Sequence, residues 1–236
     1  MQLPGSLTAV EKNCDEGTIL LYHGSKSGIS DKIKPISRSF CDFGKGFYMG
    51  TEKMQPLTLI CNFLNAKLYT LELDLSGLKI LNIQLDIDWA LLIAYHRGKL
   101  EAAHNSSIYK KYAETTIGYD IIIGDIANDR MFVVLDRFFA GLITDIALID
   151  SLSALKLGKQ YVALTEKACG QIKIIEEKTL TDVEREALRI ESEVYRQEGI
   201  RRADDICKRR RRDGRFFDEI IARLSDSSNY ELFTER

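Results

Sequence analysis

Six short runs of strand-forming residues are spread over residues 18–175, and the stretch beyond about Glu176 holds almost none. The runs are Thr18–Tyr22, Lys67–Leu73, Leu78–Leu81, Tyr119–Ile123, Gln160–Leu164 and Gln171–Ile175. Strands cannot be buried alone, because their N–H and C=O groups need partners. Helical spacing fills the gaps, at 52–64, Asp86–Arg97, Arg130–Ala140 and Asp145–Leu155, with a turn or short helix at Thr165–Gly170. Pro56 fits the first turn of the first of these. The interleaving predicts an α+β fold. Past Glu176 the charges multiply. Val183, Ala187, Ile190 and Val194 repeat at helical spacing, and Phe216, Phe217, Ile220, Ile221 and Leu224 make a second apolar face. The predicted division is a leader over 1–17, an α+β domain over 18–175 and a charged helical C-terminal extension over 176–236.

Hydrophobic residues make up 45% of the chain and charged residues 29%, enough to build a core without covalent staples. The net charge of −2 gives no global electrostatic case for a nucleic-acid or membrane partner. Cys14, Cys41, Cys61, Cys169 and Cys207 are odd in number, scattered and never in a CxxC pair, so neither a zinc ribbon nor a disulfide framework is expected. Reduced thiols of a cytoplasmic protein fit best. No basic segment leads into an apolar core at the N-terminus, so no signal peptide is expected. The longest apolar stretches fall well short of a membrane span.

The residues able to do chemistry cluster at strand ends and in loops. Leu21-Tyr-His-Gly-Ser25 ends the first strand, and Asp42-Phe-Gly-Lys-Gly-Phe-Tyr48 precedes a helix. Tyr119 to Arg130 joins a strand to the loop Gly124-Asp-Ile-Ala-Asn-Asp-Arg130, and Gln160 to Ala168 carries the last such motif. Taken in this order, with Trp89 on a helix between them, these motifs resemble the His-Tyr class of ADP-ribosyltransferases. That class includes diphtheria-toxin-like enzymes and poly(ADP-ribose) polymerases. The closer resemblance is to a bacterial subfamily first catalogued as a domain of unknown function. It spans roughly residues 18 to 175.

The resemblance implies a split, antiparallel-rich sheet with a cleft for NAD, which serves as co-substrate. It implies that His23 hydrogen-bonds the adenosine ribose, that the backbone of Gly24 holds the nicotinamide amide, and that Ser25 supports the ribose. Tyr48 would stack on the nicotinamide ring, and Gly46 in the same loop belongs with the cofactor-binding residues. Gln160 falls at the catalytic position where the best-known members carry glutamate. Glutamine can hydrogen-bond a ribose but cannot act as a general base. Transfer of a single ADP-ribose to a protein or nucleic acid is therefore the expected activity, rather than polymer elongation. Asp129 is the preferred source of the missing carboxylate, with Asp125 and Glu166 as further candidates, and Asp125, Asn128 and Asp129 are alternatively expected to shape the acceptor pocket. A toxin-like or defence effector, with an antitoxin or regulator as partner, follows by analogy.

Each feature has a plain structural alternative. GKGFY is not a phosphate-binding GxxxxGK[ST] loop; in isolation it reads as a turn, and in this order of motifs as part of the NAD site. Asp125 and Asn128 read equally as helix caps. Trp89, His96 and Arg97 are expected to be structural, and His104 exposed. Lys208-Arg-Arg-Arg-Arg212 invites a nucleic-acid reading, but acidic neighbours dilute it and no aromatics interleave it. Two other functions stay open: an NAD- or ADP-ribose-binding module with weak or no turnover, and a nucleic-acid-directed module using the basic C-terminal helix.

Overall fold

A computed structural model describes residues 17–38, 40–126, 129–155 and 158–225, the side chains of 129–132 excepted. In chain order the strands are β1 (Thr18–Ser25), β2 (Phe47–Gly50), β3 (Lys67–Asp74), β4 (Ile80–Asn82), β5 (Ile121–Asp125), β6 (Lys159–Ala163) and β7 (Ile172–Thr179). The helices are α1 (Met54–Ile60), α2 (Ile87–His96), α3 (Ser107–Glu114), α4 (Asp129–Phe139), α5 (Asp145–Leu155), α6 (Glu166–Gly170), α7 (Asp182–Arg209) and α8 (Phe217–Ser225). The strands form one mostly antiparallel open sheet in the order β4-β5-β6-β2-β1-β3-β7, with only β4 and β5 parallel. The expected α+β class is thus what the chain adopts. None of the described helices is long and apolar enough to cross a membrane.

Side-chain alternation gives the sheet two packed faces. Leu21, Phe47, Met49, Tyr69, Leu71 and Ala163 line one. On the other, Ile122 and Val162 meet the helices, with Trp89 at the centre of the core. Helix α2 is buried over every residue from Asp88 to Ala94, the pattern of a helix packed all round. Asp86 caps it by accepting from the Trp89 N–H at 3.0 Å. Asp88, 1% exposed, is matched from α3 by the Tyr112 hydroxyl at 2.5 Å and the Lys111 ammonium at 2.7 Å. Helix α3 was not expected from the sequence. Its signals are the Ser106 cap on the Tyr109 N–H and the one-turn spacing of its two buried residues, Ile108 and Tyr112.

The C-terminal helices join the core rather than trail from it. Strand β7 runs on to Thr179, three residues past the change of composition at Glu176, and Thr181 and Glu184 then form a capping box for α7. Gly199 and Ala203 bury the inner side of α7, where small side chains allow close approach to α4 and α5. Phe217 at the start of α8 meets the Phe138 and Phe139 rings edge-on, each at 5.4 Å between centroids. Phe217→Ala should therefore destabilise the whole chain by about 3 kcal/mol. Urea unfolding followed by Trp89 fluorescence would report it, because Phe217 and Trp89 share one core. A Trp89 transition unmoved by the substitution would mean that the C-terminal helices fold apart from the sheet.

Candidate functional site

Strand pairing brings together three motifs that lie far apart in the sequence. The strands carrying His23, Tyr48 and Gln160 are neighbours, in the order β6-β2-β1. β2 and β6 pair along their length, with Tyr48 opposite Val162 and Gly50 opposite Gln160. β1 and β2 meet only at Tyr22 and Gly50, so the sheet opens beyond that pair. β1 instead pairs over all eight residues with β3 on its other side.

His23 spans the opening. Its Nδ1 lies 2.7 Å from the Tyr48 carbonyl oxygen. A carbonyl only accepts, so Nδ1 is the donor and carries the proton. Burial lowers the imidazole pKa, outweighing the opposing effect of that hydrogen bond. The ring is then neutral at pH 7, with its acceptor lone pair on Nε2. It stacks on Phe47, 4.4 Å between centroids.

Tyr48 follows Phe47 in the strand, so its ring points to the opposite side from the Phe47 ring on which His23 rests. The Tyr48 hydroxyl is engaged by its own loop: it donates to the Gly44 carbonyl at 2.7 Å and accepts from the Phe43 N–H at 3.0 Å. Burial raises its pKa. The side chains of Tyr48 and Gln160 thus share a face, while His23 reaches Tyr48 through the main chain.

Gln160 is 7% exposed, and its amide donates to the Asp125 carbonyl at 3.0 Å and lies 3.4 Å from an Asp42 carboxylate oxygen. Asp42 in turn pairs with Arg97 just past the end of α2. Burial pushes the Asp42 carboxyl up, against the pull of the Arg97 charge and of its hydrogen bonds to Arg97 and Gln160. Asp42 is a site residue that local pattern does not mark. It lies within a motif, but nothing local shows that a carboxylate 118 positions from Gln160 faces it.

The remaining candidates separate. The Ser25 hydroxyl closes its own turn, bonding both the N–H and the carbonyl of Gly28 at 3.0 Å. A Cβ on Gly24 would come within 2.8 Å of Ile60 and 2.9 Å of the Pro56 carbonyl, so this glycine is needed for the packing of α1. A Cβ on Gly46 would collide with Val162 of β6. The Asp125 carboxylate pairs with Lys159 at 2.6 Å, and its carbonyl also receives the Trp89 indole N–H at 3.3 Å. Asn128 and the side chain of Asp129 lie outside the described residues. Glu166 is exposed in the first turn of α6, where its charge suits the helix dipole. His104 is exposed, as expected. In the basic run, Lys208 and Arg209 occupy the last turn of α7, and Arg210 pairs with Asp150 and Asp213.

A surface pocket of about 460 Å³ opens at the motif loop, lined by Phe43, Gly44, Lys45, Tyr95, His96 and Tyr119 among others. His23, Tyr48 and Gln160 do not line it. The His96 Nε2 is buried and has no hydrogen-bond partner among the described residues, and burial lowers the His96 pKa to about 4. An unfolded histidine titrates near 6.5. Above pH 6.5 the ring is neutral in both states. As pH falls from 6.5 to 4 only the unfolded chain takes up the proton, so stability falls. His23 acts in the same direction. Loss on the order of 1–2 kcal/mol is expected from His96 by pH 5. Urea midpoints of wild type and His96→Gln between pH 7.5 and 5 would measure it, with the variant showing the flatter profile. Equal slopes would rule out a neutral buried His96.

No curated protein and no solved structure matches the chain. Residues 19–174 match the model of a family described as protein of unknown function (DUF3990), and the matched span runs from β1 into β7, taking in every motif strand described above. The chain belongs to that family.

Proposed function

We propose that this protein is a mono-ADP-ribosyltransferase that consumes NAD and modifies a macromolecular acceptor. In the reaction the bond between nicotinamide and C1′ of its ribose breaks, nicotinamide leaves, and C1′ bonds to an acceptor nucleophile that loses its proton. One observation carries the reading: the three motif strands lie side by side, and the sheet opens between two of them where His23 crosses to Tyr48. That opening is where the resemblance expects the dinucleotide. Neutral His23 offers Nε2 as acceptor for a ribose hydroxyl. The Tyr48 ring, held by its hydroxyl, offers a fixed aromatic surface of the kind that stacks on a planar ring. Gln160 and Asp42 supply the polar end of the site, with Asp42 taking the part expected of Asp129.

A binding module without turnover is the second reading. It is favoured by the Gln160 amide, which already has partners in Asp125 and Asp42 and has no basic oxygen to offer an acceptor.

Incubation of the purified protein with isotopically labelled NAD and a lysate of protein and nucleic acid should release nicotinamide and label an acceptor. His23→Ala should cut nicotinamide release by about a hundredfold or more, the loss of a group that fixes substrate geometry. Melting curves would show whether that variant stays folded. Binding by calorimetry with no released nicotinamide would favour the module, and neither binding nor release would remove NAD from consideration. Gln160→Glu separates the two roles of this position. It sets a second carboxylate beside buried Asp42, so lower stability and no gain in transfer are expected. A gain in transfer would return the position to the glutamate role of the best-known members.

A further inference from the structure

Helix α7 has two apolar sides, and among the described residues only one is covered. Leu188, Gly199 and Ala203 face the molecule. Val183, Ala187, Ile190 and Val194 fall on the opposite side, at steps of four, three and four residues. That is the spacing of the a and d positions of a coiled coil. These side chains are open to solvent: Val183 is 80% exposed, Ile190 59% and Val194 62%. The seam is roughly 17 Å long at 1.5 Å per residue.

Its borders are uniformly acidic. Glu184, Glu191 and Glu198 run along one edge and Glu186 and Glu193 along the other. These are the e and g positions that choose a coiled-coil partner. Arginines lie further outboard, where Arg189 pairs with Glu186, Arg196 with Glu193 and Arg202 with Glu198. Such exposed pairs are weak and leave the glutamates able to turn to a partner. A second copy of this helix would set glutamate against glutamate in either orientation, which counts against self-pairing.

We propose that the outer face of α7 is a docking seam for another protein's amphipathic helix, one with an aliphatic a/d stripe bordered by lysine or arginine. The seam selects that partner by charge and excludes copies of itself by the same means. This surface is separate from the opening between β1 and β2 and stands whether or not NAD is the substrate.

The full chain, titrated with a synthetic peptide of about three heptads, tests this. One peptide carries Leu and Val at a and d with Lys at e and g, and a second carries Glu at e and g. The lysine peptide should bind and the glutamate peptide should not, and salt should weaken the binding. Ile190→Asn with Val194→Asn should weaken binding by about tenfold or more, and both sites are exposed enough to leave folding unchanged. Replacing Glu186, Glu191 and Glu193 by Lys should reverse the preference between the peptides. Binding that ignores peptide charge, or survives the double asparagine variant, overturns the proposal. So does absence of binding to either peptide. A seam-dependent dimer of the free protein in sedimentation would overturn it too, by naming the second copy as occupant.

Discussion

Asp42 is only 9% exposed, with the Arg97 guanidinium on one carboxylate oxygen and the Gln160 amide toward the other. The three residues come from the motif loop, the residue after α2 and strand β6. The loop around them is rich in glycine and is anchored by the buried Phe43 ring, by the Ser37 hydroxyl on the backbone of Gly44 and Gly46, and by Asp42. A desolvated carboxylate can stay ionised only beside its partner, so the ion pair, together with these anchors, sets where the loop runs relative to α2 and the sheet. Its net contribution to stability is small, because desolvation offsets the attraction, yet breaking it would cost about 3–5 kcal/mol by leaving one charge alone. What it contributes is position. The Tyr48 hydroxyl is bonded to Phe43 and Gly44 in the same loop, so the placement of Asp42 passes directly to the Tyr48 ring.

The opening of the sheet has a second set of causes. β1 commits its full length to β3, and β2 commits its full length to β6. Each strand is therefore held firmly from one side, and the two need not zip to each other. A gap between strands normally leaves carbonyls without partners. Here the His23 side chain supplies the donor that a neighbouring strand would have given to the Tyr48 carbonyl. The substitution also sets the histidine tautomer. A residue that closes a structural gap thereby presents a defined acceptor, with no added cost for choosing between tautomers.

Much of the fold was legible in the sequence because its strands are locally strong. All six expected runs became strands, and the helices at 86–97, 130–140 and 145–155 fall within a residue or two of those observed. The failures are physical. Local pattern makes β2 look like a loop, because Gly46 and Gly50 enclose only three residues, and pairing with β6, not propensity, makes it a strand. α3 was missed because its Ile108 and Tyr112 signal is short and interrupted by lysines. The break at 176 came from the charges of β7, but those residues sit on an edge strand. There Glu176, Glu177 and Lys178 suit the sheet by blunting further pairing. In the site, His23, Tyr48 and Gln160 could be named in advance and Asp42 could not. Partners brought together by the sheet leave no trace in local pattern.

The glycines of the motifs weigh differently now that their surroundings are visible. Gly24, Gly46 and Gly124 each sit where a Cβ would strike a neighbour, namely Ile60, Val162 and Phe43. Any chain with this packing would need them, catalytic or not. They speak for the fold, as does the Ser25 hydroxyl in its turn. The chemical reading rests instead on His23 and Gln160, whose structural bonds use only the donor side of each group. His23 donates through Nδ1 to the Tyr48 carbonyl, and its Nε2 remains an acceptor. Gln160 donates through its amide nitrogen to the Asp125 carbonyl and toward Asp42, and an amide oxygen accepts. A ribose offers hydroxyl donors to groups of that kind. That match is the physical reason to look for a ligand at these two side chains before any other.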